Sequence, residues 1–282
     1  MLLLLTLLLL IMPATAWAEY KTIDEIAEVY SVEKCSACHG RIHEEWFASA
    51  HAHSVVKSIG ILRDFIEWRL KRGKHFDRSQ LMRCMACHAP HLENASESLV
   101  QEVMQLVLTA TEGKDEAKRE KAKRSLDKLN INCIICHNTV AILEKDQKGK
   151  PKEGVYYGSS GRSSPAHGTE KSTAFRSYLF CGQCHRVFTP PDGEIIFCSS
   201  LYESYQDAYR RWGGAETCQD CHMKKGQRGH RMPGSHDMDL LKEGVDLAVE
   251  ASGVKLQPGK WVPTAFVDIR LFNKAGHRTP DG

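Results

Sequence analysis

The chain has 282 residues, with 38 Lys and Arg against 35 Asp and Glu, 42% hydrophobic residues, eleven Cys and fourteen His. A formal charge of +3 gives no argument for nucleic acid as a partner. The basic run around Lys118–Lys128 alternates with Glu and Asp, as a solvated helix face does.

In chain order, residues 1–18 form an apolar stretch broken by Pro13 and closed by Ala16-x-Ala18. This is the pattern of a secretory signal cleaved after Ala18, although its first residues lack Lys and Arg. The run of twelve residues before Pro13 falls short of the roughly 20 that span a bilayer, so no membrane span is expected after cleavage. No Cys precedes Cys35, which argues against a lipid anchor at the signal.

Thr22–Tyr30 reads as a short helix. Over Val55–Arg72, the residues Ile59, Leu62, Phe65, Ile66 and Leu70 recur at helical steps and predict one buried stripe. Ser96–Leu129 predicts one or two helices interrupted near Gly113, the second highly charged. Asp146–Pro165, rich in Gly, Ser and Lys, reads as a loop. Leu201–Trp212 is a further helix with Tyr202, Tyr205, Tyr209 and Trp212 at three- and four-residue steps. Residues 223–239 have no clear periodicity and read as a loop. Apolar and polar residues alternate from Val245 onward, a strand-like pattern. The expected fold is mainly α with little regular β structure, plus a short β-rich C-terminal segment. Residues 1–18 are assigned to the signal, 19–240 to the main domain, and 241–282 to a β-rich segment that packs on it or opens another domain.

Between these elements stand five copies of Cys-x-x-Cys-His: Cys35, Cys38 and His39; Cys84, Cys87 and His88; Cys133, Cys136 and His137; Cys181, Cys184 and His185; Cys218, Cys221 and His222. They use ten of the eleven cysteines, whereas chance from this composition gives roughly 0.02 such pentapeptides. Zinc ribbons pair two Cys-x-x-Cys units without requiring the adjoining His. The pattern with His attaches a c-type haem: two thiols bond the porphyrin vinyl groups and the next residue reaches the iron. Five covalent haems c are therefore expected. Attachment of this kind follows export, which agrees with the signal and places the protein in the periplasm or outside the cell.

This haem density alters two other readings. Five macrocycles would replace much of an aliphatic core, at roughly 25 cal/mol per Å² of apolar surface removed from water, so the haem-free chain is expected to be largely unfolded. A ferric bis-His haem adds about −1 once its propionates are counted, which brings the loaded protein to about −2.

Five histidines are proximal ligands, leaving His43, His51, His53, His75, His91, His167, His230, His236 and His277 as candidates for the far side of the irons. Met82, Met104, Met223, Met232 and Met238 are the alternatives, and His/Met ligation would raise the potential. The segment Cys35–His53, with Trp46, Ser49 and His51, resembles the opening haem segment of the cytochrome c-554 and hydroxylamine-oxidoreductase group. Pro165-Ala166-His167-Gly168, Tyr205–Met223 and Ala275–Gly282 resemble further elements of that group, so the likeness spans about residues 31–53, 84–91 and 165–282. It implies a mainly helical fold, haems stacked in close pairs and mostly bis-His iron. By position it implies distal ligation by His51, His167, His230, His236 and His277. The Cys-x-x-Cys-Lys of ammonia-forming nitrite reductases is absent, and no tyrosine is identified as a crosslink to haem. Cys198 is left over and is expected to be a buried thiol or a link to another chain.

Electron transfer between redox partner proteins is the expected function. One alternative is an oxidoreductase acting on a small nitrogen or sulfur compound at a five-coordinate haem. Another is a filament subunit, with a terminal His ligating the haem of the next chain; a homo-oligomer is compatible with the sequence.

Overall fold

A computed structural model describes residues 19–138, 153–189, 198–224, 227–279 and 281. The signal segment, residues 139–152, which include the start of the expected loop, and residues 190–197 lie outside these. Among the described residues helix dominates, with two small sheets.

The first helix, α1 (Ile23–Val29), starts at a capping box in which Thr22 and Glu25 satisfy each other's backbone N–H groups. It leads into α2 (Glu33–Phe47), which carries the first haem motif and kinks at His39, φ −113° and ψ 36°. The stripe anticipated over Val55–Arg72 is divided at Ser58 into α3 (Ser54–Lys57) and α4 (Ile59–Leu70), where Leu62 and Ile66 are buried. The second motif ends α5 (Arg78–His88). A break at Gly113 separates α6 (Glu97–Glu112) from α7 (Glu116–Asp127). Leu99, Val100, Val103, Met104, Val107 and Ala110 of α6 line the core, and α7 contributes Ala122 and Leu126. The rest of α7 is solvated, as its alternating charges require.

The single turn α8 (Cys133–His137) carries the third motif. Beyond it, part of the expected loop forms β1 (Val155–Gly158), which pairs in parallel with β2 (Gly168–Lys171). The fourth motif begins at the end of α9 (Tyr178–Gly182), behind which packs α10 (Leu201–Ala208). The fifth forms α11 (Cys218–His222). Residues 223–239 contain a 3-10 turn at Gly229–Arg231 and the start of α12 (Met238–Gly244).

Alternation from Val245 becomes a two-stranded antiparallel ribbon, β3 (Val245–Gln257) and β4 (Lys260–Asn273). Leu247 opposes Leu271, Val249 opposes Ile269, and Ala251 opposes Val267, which puts the apolar residues on one face. The other face carries Arg270 bridged to Glu250 and Asp268. Both Lys274 and Ala275 donate backbone N–H groups to the Gly244 carbonyl, and this contact returns the chain to the body.

Candidate haem sites

The five motifs have similar local geometry. In four of them the Cys-x-x-Cys turn is helical and the helix ends or kinks at the His, while in the motif at Cys181 the helix ends at Gly182 and a turn carries Cys184 to His185. Helical pitch sets the two thiols on one side, and the break frees the imidazole to lean toward the same side. Asn132 caps α8 by accepting from the N–H groups of Ile134 and Ile135. Thr217 caps α11 in a box with Asp220.

Three of the five imidazoles are oriented through Nδ1. His137 Nδ1 lies 2.8 Å from the Tyr157 carbonyl, and His222 Nδ1 lies 2.7 Å from the Pro233 carbonyl. His88 Nδ1 is 2.9 Å from Ser58 Oγ and 3.2 Å from the Ser54 carbonyl. Ser58 donates its own hydroxyl proton to that same carbonyl, so its oxygen is free to accept from His88. A carbonyl only accepts, so Nδ1 carries the proton and the Nε2 lone pair is left for a metal.

Opposite three of the proximal rings stands a second imidazole. Ring centroids are 6.0 Å apart for His185 and His51, 6.3 Å for His137 and His230, and 6.2 Å for His222 and His277. A metal–imidazole bond is about 2.0 Å and the ring centre lies ~1.1 Å further, so two rings on one metal stand roughly 6.2 Å apart. These spacings fit a haem iron between each pair. Burial lowers the basicity of His51, His185, His137, His230 and His222, with His51 brought down to about 4. Neutral imidazole is the form that ligates.

The remaining candidates differ in placement. His167 lies close enough to influence the Cys35 thiol and His137 electrostatically, and its ring is edge-on to Tyr156 at 4.9 Å. His236 and His75 are exposed. His53 is held by Asp127 at 3.0 Å and by the Phe47 carbonyl at 3.2 Å. His43 packs on Trp46, while His91 is enclosed in the core beside Tyr30. Among the described imidazoles none pairs in this way with His88; His51, which it influences, already faces His185.

Segments between the motifs brace them together. Trp46 Nε1 donates to the Ile131 carbonyl at 2.8 Å, tying α2 to the approach of the third motif. Ser54 Oγ bonds both the His88 carbonyl, at 2.7 Å, and the Ile131 N–H, at 3.1 Å. At the other end, Arg278 N–H donates to buried Ser204, and Asp281 accepts from Ser200, which seats His277 against α10. Tyr205 and Tyr209 stand beside Gly276 and bond Glu216 just ahead of the fifth motif.

Thiols of different motifs meet. The Cys35 thiol lies close to that of Cys133, Cys87 to Cys184, and Cys181 to Cys218. Burial pushes Cys84 up to about 12 and Cys136 up to about 11, whereas Cys35, beside Cys133, is held down to about 6. No cluster of three or more His, Cys, Asp or Glu side chains among the described residues could hold a bare metal ion. The expectation that Cys198 is buried is corrected: it is exposed, near the Cys84 and Cys87 thiols.

Ser54 and Ser58 escaped the sequence reading. Their four-residue spacing on a helical segment was a signal, but serine at such spacing is too common to point at an imidazole. The Tyr157 and Pro233 carbonyls leave no side-chain signal at all.

Among the described residues no helix is long and apolar enough to cross a membrane. No curated protein and no solved structure matches the chain. The family model described as cytochrome c554 and c-prime matches residues 34–108, a span holding the first two attachment motifs and His51, and it supports a multihaem c-type cytochrome of that group.

Proposed function

We propose that this chain is a periplasmic or extracellular cytochrome with five haems c, carrying electrons between redox partner proteins. The carrying observation is the set of three imidazole pairs, His185 with His51, His137 with His230 and His222 with His277, each spaced for one iron. Bound haem would supply a one-electron iron couple, and the residues around it set its potential. Two strong axial imidazoles leave no open position for a substrate, which favours transfer over catalysis at those three irons.

The thiol contacts support close packing of the haems. They link the first motif with the third, the second with the fourth and the fourth with the fifth. Cys136 also lies near Cys181 and Cys184, which connects the third motif with the fourth. Every attachment site therefore belongs to one connected set, with the fourth at its branch point. His277 has a partner within its own chain, so the filament reading has no need of it.

A specific observation favours a second reading at one site. His88 is oriented by Ser58 and Ser54 and has no described imidazole across from it, so an oxidoreductase site for a small nitrogen or sulfur compound would sit there.

Intact mass of the secreted protein should give five haem additions. Electron paramagnetic resonance should give low-spin bis-His signals, one of which turns high-spin in His51→Ala. Fewer than five additions, or unchanged signals in that variant, would defeat the reading. A native high-spin signal would support the alternative, at His88 or at His39, the two motif imidazoles with no paired ring among the described residues.

A further inference from the structure

The 3-10 turn that presents His230 is held by a residue from a distant part of the chain. Glu45 Oε2 accepts from the His230 backbone N–H at 3.0 Å and lies 4.0 Å from His230 Nδ1. The other carboxylate oxygen accepts from Arg41 at 2.8 Å, and the Glu45 side chain is only 15% exposed. The backbone of the turn is shaped to admit this carboxylate. Gly229 sits at φ +51°, and a Cβ there would run into the Glu45 carboxylate. Met232, two residues beyond the ligand, is at φ 43°, the one positive-φ residue other than glycine among those described. L-residues avoid that region unless surrounding contacts impose it.

We infer that Glu45 is a positioning residue for His230, clamping the turn and placing a negative charge behind the imidazole that faces His137. The inference rests on the proposed reading that His137 and His230 share one iron. The Nδ1 groups of His137, His222 and His88 meet neutral acceptors, whereas His230 has a carboxylate within ion-pair range. An anionic outer partner makes the imidazole a stronger donor and favours ferric iron, so that haem should have a lowered potential. Glu45 also lies six residues after His39 on α2, so the clamp ties the helix of the first haem to a ligand of the third.

The test compares Glu45→Gln, Glu45→Ala, Gly229→Ala and His230→Ala in the haem-loaded protein, by paramagnetic resonance and spectroscopic redox titration. Intact mass confirms that each variant carries the full haem complement. Glu45→Gln keeps an acceptor for the backbone N–H but removes the charge, so one haem should stay low-spin and shift to higher potential. A purely structural role would leave that potential unmoved. Glu45→Ala and Gly229→Ala should convert part of one low-spin signal to high-spin, and His230→Ala should convert all of it. If His230→Ala changes one haem while the Glu45 and Gly229 variants match wild type, the positioning role is overturned. If His230→Ala changes none, the underlying ligand assignment fails and the inference falls with it.

Discussion

His91 lies three residues beyond His88, is 1% exposed, and meets no hydrogen-bond partner at either ring nitrogen. Its ring rests against Tyr30 at 4.8 Å, and the Tyr30 hydroxyl is likewise buried without a partner. A core imidazole in this setting has to stay neutral, and burial holds it down to about 3. The unfolded chain titrates near pH 6.5. Above that value both states are neutral, and the residue adds no pH dependence. Below it the unfolded state takes a proton that the folded state refuses, so stability falls steadily until about pH 3. At pH 4.5 the loss is about 3 kcal/mol. His91→Leu should remove this component and also relieve two unsatisfied buried nitrogens. Denaturant titration should then show a smaller drop in stability from pH 7.5 to pH 4.5 in the variant than in wild type. An equal drop would mean that His91 finds a partner in the loaded protein.

At the level of the element, the chemistry depends on short helices that could not stand alone. The helix α8 is a single turn, too short to be stable by itself. Asn132 starts it with bonds at 3.1 and 3.3 Å to Ile134 and Ile135, while its amide donates to the Tyr30 carbonyl at 3.1 Å. Asn132→Ala should therefore cost about 1–2 kcal/mol, measured by urea unfolding, with Asn132→Asp recovering the cap but not the bond to Tyr30. Elements of this kind were legible where their cause is local. The five Cys-x-x-Cys-His turns, the Gly113 break and the ribbon alternation all write their geometry into adjacent residues. The strands β1 and β2 were not legible, since four residues each give too little pattern and their pairing is non-local. The facing of His51 toward His185 was equally hidden. A motif likeness can suggest that His51 ligates, but only the path of the chain brings it to the fourth motif rather than to its neighbours.

Across the whole molecule the apolar core is distributed unevenly. The buried cluster runs from Ile23 to Ile135, built on α1, α4, α5, α6 and α7. Among the described residues beyond 138, only Tyr157 and Tyr205 are buried apolar side chains. Leu179, Trp212 and the apolar face of the ribbon are exposed, and a two-stranded ribbon has little stability of its own. The second half is held instead by bonds around the attachment sites: Tyr157 to His137, Pro233 to His222, Gln219 to Ser177 and Ser204 to Arg278. The sequence-level expectation of a largely unfolded haem-free chain therefore applies unequally. Haem-free protein should keep a helical, protease-resistant unit over about residues 19–138, because that part buries its own apolar surface. Residues 153–281 should be cut rapidly, because on the proposed reading porphyrin surface would stand in for the core they lack. Limited proteolysis with mass mapping of fragments tests this, comparing haem-free and loaded protein. Rapid cutting within α6 of the haem-free chain would show that the first half also depends on its haems, whereas protection of the ribbon would show that the second half does not.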